Sequence, residues 1–461
     1  MTALPDLTAT ELLAAYRART LSPVEVTDAV LARIEACEPK LRAMYAYDPE
    51  GAREAARESE ARWLEGTPTG ALDGVPITIK ENIATRGVPV PIGTAATPLV
   101  PAAADAPPAA RVREAGAVIL GKTTMPDYGM LSSGLSSFHP LTRNPWNPAK
   151  NPGGSSAGAG AAAAAGYGPL HLGTDIGGSV RLPASWCGIF TLKPSLGRIP
   201  IDPPFIGRVA GPMTRTVADS ALLMSVLSLP DARDHMSLPP ASIDWPALDG
   251  VVKGKRIGLL LDAGFGLPVE PEVRAAVEAA ARLFEAAGAI VEPVAPILDR
   301  ALFDALDDFW CARSWNDMVK LSPETRARIL PFITSWARKA VKLSGLDVLR
   351  GVNAVVEMSK RANDLTMRHD AILSPTAPMP AYAAEWPCPT NDSERPLEHI
   401  GFTVAWNMGE QPASSINCGY TGDGLPIGLQ IVGRRFDDAG VMRLSAWYER
   451  HRPAQRPWPL P

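Results

Sequence analysis

Cysteine is scarce and unpaired in this sequence: Cys37, Cys187, Cys311, Cys388 and Cys418 are odd in number, scattered, and never spaced as C-x-x-C. That argues against a disulfide framework or a cysteine zinc site and fits buried free thiols in a reducing compartment. No long basic run occurs, and a net charge of -4 leaves no electrostatic footprint for nucleic acid. No stretch approaches the roughly 18 apolar residues of a membrane span. The opening "MTALPDLTATELL" lacks the charged and apolar regions of a secretory leader. A cytoplasmic protein with a small-molecule partner is expected, as a monomer or homodimer, with no nucleic acid and no membrane. Histidine is thinly placed too. His171, His235, His369, His399 and His451 lie in neither the small-residue nor the acidic settings that mark a catalytic base.

What the chain does have is bulk: 461 residues, 46% apolar and 20% charged, enough for a large core. "SPVEVTDAVLARIEACEPKL" opens with Ser22 as N-cap, Pro23 at the first helical position and Glu25 closing a capping box, which predicts a helix. "GVPITIKEN" predicts a short strand over Val75–Ile79 that delivers Lys80 at its end, and "GAVILGKT" repeats the signal over Ala117–Leu120. Proline and glycine make "NPWNPAKNPGGSS" a loop; the "AGAGAAAAAGYG" after it predicts a helix whose small side chains permit close approach. Strand and helix patterns alternate again after residue 250, a mostly helical stretch runs from about 300 to 370, and "AILSPTAP" and "GLPIGLQIVG" return to sheet. With no internal repeat and no long linker, one large α/β domain over 1–461 is expected.

Two motifs fail on context. "GAGAAA" at Gly158 matches a dinucleotide fingerprint but follows prolines and glycines instead of an apolar strand. "GSSAG", centred on Ser156, matches a nucleophile elbow but lacks the strand that must lead into it.

The third constellation joins Lys80, "NPGGSSAG" and "GTDIGGSVRLPA". These segments, with "ASWCGIFTLKPSLGRIP", "GPMTRTVADSALLM", "LSPTAPMP" and "GLPIGLQIVG", resemble the amidase signature family over most of the chain, diverging from about 231 to 370. The residues support that resemblance on their own terms. A serine hydroxyl attacks only if a base removes its proton. With no well-placed histidine, a lysine can serve once burial without a carboxylate partner makes it neutral. Glu81 is adjacent to Lys80, yet neighbours on a strand point to opposite faces.

The resemblance implies a mixed β-sheet core flanked by helices on both faces, and a Ser-Ser-Lys triad. Ser179 would be the nucleophile, Ser155 a bridging serine after a cis peptide at Gly154, and Lys80 the base. The backbone N–H groups of Ile176, Gly177, Gly178 and Ser179 are offered as an oxyanion hole by the glycine-rich turn. Asp175 and Arg181 are expected to fix the turn's shape, Ser156 to join the hydrogen-bond network, and Gly129, Met130 and Leu131 to line the pocket. No cofactor and no metal are implied.

For the substrate, Phe309, Trp310, Trp315 and Trp406 are candidate apolar walls. No arginine cluster marks that stretch, and Arg208 in "PPFIGRVAG" stands alone as a residue to meet an anion. The expectation is C–N hydrolysis of neutral apolar or aromatic amides, anilides or carbamates, with esters as a side activity, through an acyl-enzyme. The alternatives are the glutamine-hydrolysing subunit of a tRNA amidotransferase and a silent binding protein on the same fold.

Overall fold

A computed structural model describes residues 3–460. Its strands are β1 (Met44–Tyr45), β2 (Pro76–Lys80), β3 (Val118–Thr123), β4 (Leu170–Asp175), β5 (Phe190–Lys193), β6 (Val209–Thr214), β7 (Arg256–Leu259), β8 (Ile290–Pro293), β9 (Ala371–Pro375), β10 (Ala413–Tyr420) and β11 (Pro426–Val432). They form one 11-stranded mixed sheet in the order β1-β3-β2-β4-β6-β5-β10-β11-β9-β7-β8. β2 runs parallel to both β3 and β4, whereas β4–β6, β5–β6 and β10–β11 are antiparallel. The strand expected to end at Leu120 continues to Thr123, because Gly121, Lys122 and Thr123 pair with Thr78, Ile79 and Lys80 of β2 after a one-residue register shift at Leu120.

One sheet face is apolar by alternation. Ile77 and Ile79 of β2 and Leu170 and Leu172 of β4 enter the largest core cluster, with Val217, Val277, Phe284, Val441 and Leu444 from the covering helices. The other face receives the alanine-rich helix Ala157–Ala165. Ala161, Ala162 and Ala165 meet the N-terminal helices, and Ala159, Ala163 and Ala164 meet Val180 and Ala184. Its small side chains are a geometric requirement: a Cβ on Gly160 would lie 2.8 Å from Pro183 Cβ. The helix Pro23–Leu41 forms with the expected capping box at Ser22 and Glu25.

All five cysteines are buried and unpaired. Among the described residues no helix is long and apolar enough to cross a membrane. Between β7 and β9 the chain is mostly helical, with Arg300–Met318 and Gly345–Met367 packed together.

Candidate active site

The alternation that buries Ile77 and Ile79 turns Thr78 and Lys80 to the other face of the sheet. Lys80 is fully buried there. Its Nζ donates to Ser155 Oγ at 2.8 Å, Ser156 Oγ at 3.0 Å and Thr174 Oγ1 at 2.9 Å. Glu81 points away: it accepts from the backbone N–H groups of Ile92 and Gly93 and faces His139 Nε2 at 2.8 Å. The ammonium therefore has hydroxyl neighbours and no ion pair. Burial pulls Lys80 down from the ordinary lysine value to about 7, against the opposing charges of Asp175 and Glu81 and with help from Arg208. Burial lowers Lys122 and Lys193 to about 7 as well. Lys122 reaches Ile83 O and Thr85, and Lys193 reaches Pro194 O, so a lowered pKa alone would not single out Lys80.

Ser155 sits in the loop before the helix Ala157–Ala165, after a cis Gly154–Ser155 peptide. Ser156 N–H donates to Ser179 O at 3.2 Å, stitching this loop to the glycine-rich turn that follows β4. The Ser156 hydroxyl donates to Thr174 O at 3.1 Å and accepts from Thr174 N–H at 3.2 Å. In the turn, Asp175 accepts from Gly178 N–H at 2.8 Å and Val180 N–H at 3.1 Å, and Arg181 meets both of its carboxylate oxygens, at 2.9 and 3.1 Å. Burial alone would raise the Asp175 carboxyl, but the Arg181 guanidinium holds it well below the usual carboxylate range. Arg181 also reaches Thr403 O and Gln430 Oε1, which ties the turn to the far half of the sheet.

This network corrects the expected donor set. The Gly178 N–H is committed to Asp175, which leaves Ile176, Gly177 and Ser179 as the turn N–H groups facing no protein acceptor. Gly178 is required for another reason: at φ 128° its Cβ would lie 2.7 Å from Thr403 Oγ1 and 2.9 Å from Leu182 Cδ1.

Ser155 and Ser179 open on one cleft, with no hydrogen bond between their hydroxyls. Gly129, Met130, Leu131 and Trp310 line it. The other proposed aromatics do not. Trp406, on the separate helix Val404–Met408, is buried beside Phe402 and Val432. Trp315 lies under Arg326 and Phe309 packs against Gly351, because the helical period turns both away from Trp310.

These motifs, at these positions in the fold, match known proteins along the whole chain. A family model described as Amidase matches residues 25–442. The chain belongs to the amidase family. It is 34% identical to an acylamidase of Rhodococcus erythropolis, covering 98% of this chain and 96% of that one. It is 35% identical to a glutamyl-tRNA(Gln) amidotransferase subunit of Myxococcus xanthus (strain DK1622), covering 97% of each. Among solved structures it is similar to a bacterial aryl acylamidase of the amidase signature enzymes, with TM-score 0.88, 31% identity and 96% of each chain covered. A 6-aminohexanoate cyclic dimer hydrolase superposes with TM-score 0.86 at 28% identity over the full length of both.

As an amidase-family site, the cleft holds several residues that sequence reading passed over. Thr174 lay inside the glycine-rich turn motif and Asn82 two residues beyond Lys80, where Nδ2 donates to Thr174 Oγ1 at 3.1 Å. Tyr128 and Trp336 also line the cleft, as does Arg313, which shares the wall with Arg208. No sequence signal pairs residues so far apart.

Proposed function

We propose that this amidase-family chain hydrolyses amides through an acyl-enzyme on Ser179, with Ser155 as proton bridge and Lys80 as base. The observation that carries the reading is Lys80 Nζ at 2.8 Å from Ser155 Oγ in a fully buried setting without an ion pair. A neutral amine has two N–H donors and one lone pair. The Ser156 hydroxyl is committed to Thr174 O, so Ser156 accepts one N–H, and Thr174 Oγ1 accepts the other. The lone pair then faces the Ser155 hydroxyl. Ser179 attacks the carbonyl carbon as Ser155 takes its proton and passes its own to Lys80. The proton returns along the same path to the leaving nitrogen as the C–N bond breaks. Water enters by the same relay, adds to the acyl carbon and releases the acid. The Ser179 hydroxyl must rotate toward Ser155 as substrate binds, a tightening that empty sites commonly await. The free N–H groups of Ile176, Gly177 and Ser179 are placed to hold the oxyanion, each worth on the order of 3 kcal/mol.

The substrate class we propose is amides and anilides with an apolar or aromatic group, extending to carbamates and esters as acyl donors of the same kind; a carbamate would lose carbon dioxide after hydrolysis. Trp310, Trp336, Leu397 and Ile400 around the serines support this, as do the acylamidase and aryl acylamidase relatives. We assign selectivity to the helical region near residues 300–340, which supplies both tryptophans. Five buried unpaired thiols support a reducing, cytoplasmic setting. Likeness to the tRNA amidotransferase relative carries a second reading, glutamine hydrolysis within a complex. Assaying the purified chain on p-nitroanilides, primary amides, carbamates, esters and glutamine tests both. Turnover of anilides by the chain alone supports the first reading, and activity on glutamine alone overturns it.

A further inference from the structure

The cleft that holds the serines continues into a second chamber walled by Val90, Ile92, Ile201 and Pro203. The two chambers share Asn82, Tyr128, Met130, Thr174, Arg208 and Arg313, so these residues form a waist between them. Two cations stand at that waist. Arg208 lies at the end of a loop closed by its own N–H to Phe205 O at 3.0 Å. Asn407, which donates to Asp175 Oδ1 at 2.8 Å, also donates to Gly207 O at 3.0 Å and so anchors this loop to the serine turn. Arg313 comes from the helix Arg300–Met318, one turn after Trp310, and its guanidinium lies 3.7 Å from the centroid of the Phe205 ring. Stacking on that face fixes the plane and leaves the N–H edges available.

Among the described residues neither guanidinium has a hydrogen-bond partner or an ion pair. Asp202, Asp234 and Asp317 are the nearest acids in effect. Asp234 is committed to the Ile201 and Met236 N–H groups, while Asp202 and Asp317 line the second chamber without a hydrogen bond or ion pair to either guanidinium. Burial and the nearby Arg313 charge lower Arg208 to about 10, and burial lowers Arg313. Two half-buried like charges without a partner are unfavourable, and an anion between them would relieve both terms. The planar fork of each guanidinium suits a carboxylate.

Resting on the hydrolase reading, we propose that Arg208 and Arg313 form an anion subsite at this waist, so that preferred substrates are amides with an apolar or aromatic part and a carboxylate. The expectation of a neutral pocket came from seeing Arg208 alone; the fold supplies its companion.

The test compares p-nitroanilides and benzoyl anilides in matched pairs. One pair is glutaryl p-nitroanilide and its methyl ester, with the charge on the acyl side. The other is N-benzoyl-4-aminobenzoate and its methyl ester, with the charge on the amine side. The carboxylate member of at least one pair is expected to show a kcat/KM at least tenfold above its ester, identifying the side. In Arg313→Gln that ratio falls at least tenfold, and Arg313→Lys restores part of it. Equal rates for both members of both pairs overturn the subsite, as does an unchanged ratio in Arg313→Gln, since a merely structural loss lowers both members alike. If no probe turns over, the wider substrate panel decides the hydrolase reading and calorimetry on Ser179→Ala decides the subsite separately. Carboxylates binding at least tenfold tighter than their esters, with the difference lost in Ser179→Ala/Arg313→Gln, supports it, and equal binding overturns it.

Discussion

Lys80 and Thr174 stand near the ends of two adjacent parallel strands, β2 and β4, with Nζ 2.9 Å from Oγ1. Because parallel strands end together, the lysine and the glycine-rich turn after Thr174 emerge at one edge of the sheet. The Ser155 loop needs only to be laid across that edge, and the Ser156–Ser179 backbone bond holds it there.

Ser179→Ala is expected to reduce amide turnover to background and to abolish covalent labelling by a fluorophosphonate, read by intact mass. Labelling that persists on another serine would remove Ser179 from the nucleophile's role.

Ser155→Ala and Lys80→Ala are each expected to lower kcat/KM at least about a hundredfold, the usual scale of general base catalysis. Near-normal rates in Lys80→Ala would exclude it as the base.

The pH profile follows from the lowered Lys80 value. The neutral amine is the active form, so kcat/KM should rise with pH through an apparent pKa near 7 and level off above it. Stability has a defined sign as well. Between about 7 and 10.5 the unfolded lysine holds a proton that the folded one does not, so this group favours folding increasingly as pH rises. The unfolding free energy of the wild type relative to Lys80→Met, from chemical denaturation, should rise from pH 7 to pH 9.5 by at most about 1.4 kcal/mol per unit. A flat difference would mean that the buried lysine keeps its proton.

Asp175→Asn leaves Arg181 buried without its counter-charge, a loss of about 3 kcal/mol or more. Chemical denaturation should show it, together with a lower kcat as the turn loosens.

Gly178→Ala places a Cβ against Thr403 and Leu182 at a positive φ. A loss of about 2 kcal/mol in stability is expected. Wild-type stability and rate in this variant would show that the turn can shift at no cost.

Local rules made much of this protein readable. The Ser22 cap, the polar–apolar alternation around Lys80 and the alanine-rich helix are consequences of spacing within a few residues. Glu81 facing away from Lys80 follows from strand geometry alone. The short glycine- and serine-rich motifs carried the likeness that selected Lys80, Ser155 and Ser179.

What the sequence by itself determined was therefore the period of each element and the chemistry of each short motif, since both depend on neighbours along the chain. Only the tertiary structure decided which N–H of the turn Asp175 occupies, which tryptophans face the cleft, and that Arg313 stands beside Arg208. The Asp175–Gly178 contact is local but its turn is held by Thr403 and Asn407. The other outcomes depend on packing between distant segments, where helix rotation and loop closure, set by the whole core, fix where a side chain points.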